Sequence, residues 1–134
     1  MIDPRIAQSF ARQTMMTSLQ AQLVLATEGR CIIRAPLLPA FQQQHGAAHA
    51  AVAFALGDSA AGYAALTLLP EAQEVMTAEM KINLLSPAIG ESVEASGEVQ
   101  RAGRRLTIVR AEVFALSGDS RKSIALLQGT MIGV

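Results

Sequence analysis

Polar side chains within apolar sequence mark candidate chemistry, because burying them costs free energy unless something is gained. Asp58 is the clearest such residue. It lies in the apolar run from Ala48 to Leu69, and its helical neighbours three and four positions away are Phe54, Ala55, Ala61 and Gly62. A carboxylate in such surroundings is a candidate general base. The alternative is that Gly57-Asp58-Ser59 breaks the helix, with Asp58 capping a second helical segment. His45 and His49 are four apart, a spacing at which two imidazoles on one helix reach one metal. No Glu lies between them, no third ligand is evident, and Gly46 disfavours a helix starting ahead of His45. No metal site is therefore expected. Arg101, Arg104 and Arg105 cluster about a turn at Gly103. They read either as a phosphate-binding hairpin or as a solvated turn. Cys31 sits in a strand-like apolar run and reads as a buried, inert thiol.

The secondary structure that carries these residues can be read from pattern. Asp3-Pro4 is a helix start, a capping acid followed by Pro at the first helical position. Ile6, Phe10 and Met15 are expected to share one face of that helix. Leu19 to Thr27 and Arg30 to Leu38 read as strands joined at Glu28-Gly29. A loop from Ala40 to Gly46 carries three consecutive Gln. Ala48 to Leu69 is apolar on nearly every face, so it is expected to be a buried helix, closed by Pro70. Four strands come after it: Glu74 to Leu85, Ser92 to Arg101, Leu106 to Ala115 and Ser123 to Ile132. The turns are Ala102-Gly103-Arg104 and Ser117-Gly118-Asp119-Ser120. In the first of these strands, Val75, Thr77, Glu79 and Lys81 alternate with Met76, Ala78, Met80 and Ile82. Short turns between consecutive strands indicate an antiparallel sheet. The class is α+β, one long helix packed on one face of five to six strands.

Composition narrows the function. The chain has 134 residues, 51% hydrophobic and 16% charged, with no net charge. That suits one domain and excludes a disordered chain. Zero net charge and 4% aromatic residues argue against nucleic-acid binding. One Cys excludes a disulfide framework. No apolar run reaches the roughly 18 residues of a membrane span, and Met1 to Arg5 lacks the layout of a signal peptide. A cytoplasmic location is expected. Of 24 Ala, ten fall between positions 47 and 65. The sparse charge suggests a subunit that shares surface with copies of itself.

The spacing Gln43-x5-His49-Ala50-Ala51-x6-Asp58 resembles the Asn/Gln-x5-His-Gly-Gly-x6-Asp/Glu signature of hot-dog-fold acyl-CoA thioesterases of the PaaI-like group. The run Met76 to Ala88 resembles that family's strand and its Ser-Pro-Ala turn. Gly90-Glu91, Gly97 and Arg101-Ala102-Gly103-Arg104 also fall where the family places them. The resemblance covers about Leu38 to Val134. It implies a sheet wrapped around the central helix and hydrolysis of an aryl- or medium-chain acyl-CoA. It implies Asp58 as general base or nucleophile, the Ala50 N–H as donor to the thioester carbonyl, and Gln43 beside that carbonyl or holding the water. His49 would orient the loop or the thioester, and Thr77 would position water. Arg101, Gly103, Arg104 and Arg105 would lie against the CoA nucleotide. No metal or redox cofactor is implied, and the assembly would be a dimer or a dimer of dimers. Ala50-Ala51 departs from Gly-Gly, which narrows the approach to the helix start and leaves open a non-catalytic acyl-CoA or small-ligand binding protein. A hot-dog dehydratase lacks support, because no Gly/Pro-rich loop accompanies His49.

Helix geometry adds a constraint. On one continuous helix, nine residues separate His49 from Asp58 by roughly 13–14 Å and place them on opposite faces. One chain then cannot bring the Ala50 N–H and Asp58 to one carbonyl. Two antiparallel helices can, with Gln43, His49 and Ala50 from one subunit and Asp58 and Thr77 from the other.

Overall fold

A computed structural model describes residues 1–134. Three α-helices, one 3-10 turn and six strands run in the order α1 (Pro4–Arg12), α2 (Thr14–Ser18), β1 (Gln22–Thr27), β2 (Arg30–Pro36), the 3-10 turn (Pro39–Phe41), α3 (Ala50–Leu66), β3 (Val75–Leu84), β4 (Ser92–Ala102), β5 (Leu106–Ser117) and β6 (Ser120–Gly133). The strands form one sheet in the order β1-β2-β4-β5-β6-β3, antiparallel throughout. The sheet wraps α3, which meets every strand. This is the α+β hot-dog architecture expected, with six strands. No helix is long and apolar enough to cross a membrane.

Helix α3 is buried because it is apolar all round. Leu56, Ala60, Ala61, Ala64 and Ala65 are fully enclosed. The Ala concentration therefore serves first to seat the helix on its own sheet. Gly97 of β4 lies directly beneath it: a Cβ there would overlap the backbone of Ala60 and come within 2.6 Å of the Ala61 nitrogen. The helix is unbroken through Gly57-Asp58-Ser59, so Asp58 is not a cap. Its ends fall at His49 and Thr67, inside the expected limits, because the His49 side chain caps the first turn and Thr67 the last.

Two local readings are corrected. Thr14–Ser18, five residues too short to show a period, is a second helix, so the first strand starts at Gln22 rather than Leu19. The chain turn at Gln13 then buries Met16 and leaves Met15 exposed, off the Ile6 face. The strict alternation expected along β3 is interrupted by a bulge between Thr77 and Glu79. Ala78 is the extra residue, and the inward face passes from Thr77 to Met80 and Ile82. Bulges re-aim side chains in this way beside functional sites.

The first helix is tied to the end of the third. Asp3 caps α1 by accepting from the Arg5 N–H at 2.8 Å. The Arg5 guanidinium donates to the carbonyl oxygens of Leu66, Leu69 and Pro70. Those carbonyls lie at and just past the C-terminal end of α3, where positive charge is favourable. The 27-residue core lies between α3 and the inner face of the sheet, with Ile6, Met16 and Leu19 closing one side.

Candidate active site

The start of α3 is a set of hydrogen-bond donors. The loop ahead of it folds on Gln43, whose N–H donates to the Ala47 carbonyl at 2.8 Å and whose carbonyl accepts from Gly46 at 3.2 Å. Gly46 sits at φ +84°, a left-handed conformation that favours glycine. The Gln43 side-chain Oε1 accepts from the His45 N–H. Its amide nitrogen is left as a donor. His49 Nδ1 accepts from the Ala51 N–H at 3.0 Å, which puts the proton of the neutral ring on Nε2. The Val52 N–H donates to the His49 carbonyl at 2.9 Å. The N–H of Ala50 has no partner in the chain. Gln43, His49 and Ala50 line one cavity of about 510 Å³, walled by Leu85, Pro87 and Ile124. Replacing Gly-Gly by Ala50-Ala51 thus leaves the N–H free, and both methyl groups are exposed.

Asp58 lies two turns further along and is half-buried. The Thr77 hydroxyl donates to Asp58 Oδ1 at 2.7 Å. The bulge at Ala78 is what turns Thr77 toward the helix. Asp58 Oδ2 has no hydrogen-bond partner. Both residues line a second, more polar cavity of about 270 Å³ together with Gln13, Ser59, Tyr63 and Glu74. Within one chain the five expected site residues therefore fall into two groups in two cavities, as the helix geometry requires.

The other expected residues divide. Gly103, Arg104 and Arg105 line a shallow cleft with Gln73 and Ile132 at the end of the sheet where β3 begins. Arg101 lies on β4 beside a bulge and is exposed, but outside that cleft. None of the three arginines makes an ion pair within the chain. Cys31 is fully buried, and burial pushes its thiol up from 9.0 to about 12. Such a thiol is a poor nucleophile. His45 is exposed on the loop, apart from the cavity of His49.

One polar group went unread in the sequence. Ser59 and Tyr63 lie in the same apolar run as Asp58, and the rule that singled out Asp58 applies to them equally. Their partners Ser9 and Gln13 come from α1 and its cap, which only tertiary packing brings near.

A six-stranded antiparallel sheet around a single long helix, with free donors at the helix start and a carboxylate on its flank, defines a hot-dog enzyme of thioester chemistry. Residues 45–121 match the model of the thioesterase superfamily, and the chain belongs to that family. A thioesterase family protein from Silicibacter pomeroyi is 37% identical, with a TM-score of 0.95 over 97% of this chain and 96% of that one. The PaaI protein of the Escherichia coli phenylacetic acid degradation operon has a TM-score of 0.86 at 16% identity, covering 100% of this chain and 96% of its own, and so shares the fold. A protein of Saccharolobus solfataricus named as a candidate esterase is 29% identical over 94 residues, 70% of this chain. The match spans 66% of that relative's length.

Proposed function

We propose that this thioesterase hydrolyses an aryl- or medium-chain acyl-CoA, in a site assembled from two copies of the chain. The observation that carries the reading is the unpartnered Ala50 N–H at the head of α3, flanked by the Gln43 amide. A helix start favours negative charge, and fixed donors there stabilise a developing oxyanion. Asp58 of the other copy acts as general base. Its Oδ2 takes a proton from water while Thr77 holds Oδ1. The water oxygen bonds to the thioester carbon, and the carbonyl oxygen becomes an oxyanion held by Ala50 N–H, Gln43 and the His49 Nε2–H. The C–S bond then breaks. The proton passes from Asp58 to the departing thiolate, giving the acid and CoA thiol and restoring the carboxylate. No metal or redox cofactor takes part, and the Arg104-Arg105 hairpin meets the CoA phosphates.

Pairing of two copies is supported by the two edges of the sheet. At the β1 edge, Ile2 bridges Ala26 and covers the strand in part. The β3 edge is uncovered, and Met76 and Leu84 along it and Leu85 just beyond it are 56%, 58% and 50% exposed. An open apolar edge of this length is a template for pairing with another copy. Two antiparallel β3 strands would set the helix start of one subunit against Asp58 of the other.

The test is thiol release from a panel of acyl-CoAs, with Asp58→Asn as control. Hydrolysis by the wild type and its loss in the variant are expected. Binding without hydrolysis across the panel would instead make this chain an acyl-CoA binding protein on the same fold.

A further inference from the structure

The outer face of the sheet carries a groove of about 480 Å³ that neither half of the catalytic site uses. Lys81 and Asn83 of β3, Gln100 of β4, Arg110 of β5 and Gln128 of β6 line it together with Glu79. Two bulges shape it. The extra residue Ala78, which turns Thr77 toward α3, turns Glu79, Lys81 and Asn83 outward, while Met80 and Ile82 pack on the core. In β4 the register shifts between Val99 and Arg101, and Gln100 is the extra residue. Bulges re-aim side chains.

The register sets two cations on either side of one amide. Gln128 stands opposite Lys81 on β3 and opposite Arg110 on β5. Neighbouring strands lie about 4.8 Å apart, so the Cα atoms of Lys81 and Arg110 are about 10 Å apart. Both side chains are long enough to converge above Gln128. Neither enters an ion pair within the chain. The carboxylates of the same face are engaged elsewhere. Glu79 accepts from the Thr130 hydroxyl at 2.8 Å and Glu112 from the Ser123 hydroxyl at 2.7 Å. Glu94 is held by Arg34 and Arg121. Glu98 stands opposite Arg110 in register but forms no ion pair with it.

Two cations against one carboxylate leave the groove net positive. Asn83, Gln100 and Gln128 add side-chain amides, each with N–H groups to donate. An oxyanion of two charges complements this set, with Arg110 as a fork and Lys81 as a point charge.

We propose that this groove is a binding site for a phosphoryl group, separate from the thioester site. Pairing of β3 edges extends the sheet in its own plane and leaves the outer face open. The site stands whether or not the chain hydrolyses acyl-CoA.

Isothermal titration calorimetry at low ionic strength, with inorganic phosphate and with adenosine monophosphate, tests it. Saturable binding of one phosphate per chain is expected. Lys81→Gln and Arg110→Gln are each expected to weaken it about tenfold, the loss of one charge-assisted contact. Arg110→Lys keeps the charge and is expected to lose less. Both positions are exposed, so thermal unfolding of these variants is expected to match the wild type. Arg104→Gln, in the other arginine cluster, is expected to leave phosphate binding unchanged. No gain with the nucleotide marks free phosphate as the occupant, and tighter binding of the nucleotide marks a phosphate monoester; both keep the site. A response that does not saturate, binding indifferent to both Lys81→Gln and Arg110→Gln, or loss in Arg104→Gln instead overturns the proposal. Saturable binding of CoA thiol but of neither probe, lost in Lys81→Gln, also overturns it, because the groove is then part of the substrate's own path.

Discussion

The two halves of the site sit on one helix and are built on opposite principles. The start of α3 is made of backbone: Ala50 offers an N–H, and the nearby side chains of Gln43 and His49 are pinned by the loop and turn they stabilise. The middle of α3 is made of side chains: Asp58 depends on a hydroxyl from strand β3, and that hydroxyl depends on a bulge. The first half is local in sequence, and its N–H stays free with Ala at positions 50 and 51. The second is assembled over long separations and depends on how closely the helix approaches the sheet. Donors fixed by a short segment can vary in side chain, whereas a base must be aimed by the whole fold.

Breaking the second half at its centre gives the largest expected effect. Asp58→Asn keeps shape but removes the base, and kcat is expected to fall by about 10³-fold or more with KM nearly unchanged. Steady-state kinetics check this, and an unaltered kcat would remove Asp58 from the chemistry. Next is the depth at which the helix lies. Gly97→Val drives a side chain into the Ala60 backbone, which cannot give way. A loss of about 3 kcal/mol or more is expected in denaturant unfolding, the upper range for overpacking. A stability within error of the wild type would show that the helix can lift from β4.

The first half should yield less. Gln43→Ala removes one of several donors to the oxyanion, and a loss of about 10²-fold in kcat is expected. A change confined to KM would mean that Gln43 holds the substrate and not the transition state. Thr77→Val is the mildest. It leaves Asp58 in place but unheld, and a fall of about tenfold in kcat is expected, near the low end of what an orienting hydrogen bond supplies. No change would mean that packing alone orients the carboxylate.

The same contrast explains what the sequence made legible. The long helix, the antiparallel strands and the His49-to-Asp58 separation are set by period and spacing, so the split of the site into two groups was accessible from residue count alone. Glu28-Gly29 was readable as a turn because both residues need positive φ there, 51° and 78°. What could not be read depends on single residues without a period. Ala78 inserts one position into β3 and reverses its alternation, and no composition signals it. Thr14–Ser18 is too short to distinguish from the start of a strand. Ser9 and Gln13 reach Tyr63 across 54 and 50 positions, a meeting decided by packing.

The central claim is that each site takes its donors from one copy and its base from the other. It is tested by mixing the Asp58→Asn and Gln43→Ala variants and allowing subunits to exchange. In a mixed dimer, the Asp58→Asn chain supplies an intact Gln43 and the Gln43→Ala chain supplies an intact Asp58, so one of the two sites is whole. At equal amounts, random pairing restores about one quarter of the wild-type rate, since half the dimers are mixed and each has one working site. A mixture no more active than the mean of its two parents contradicts the account and returns the whole site to a single chain.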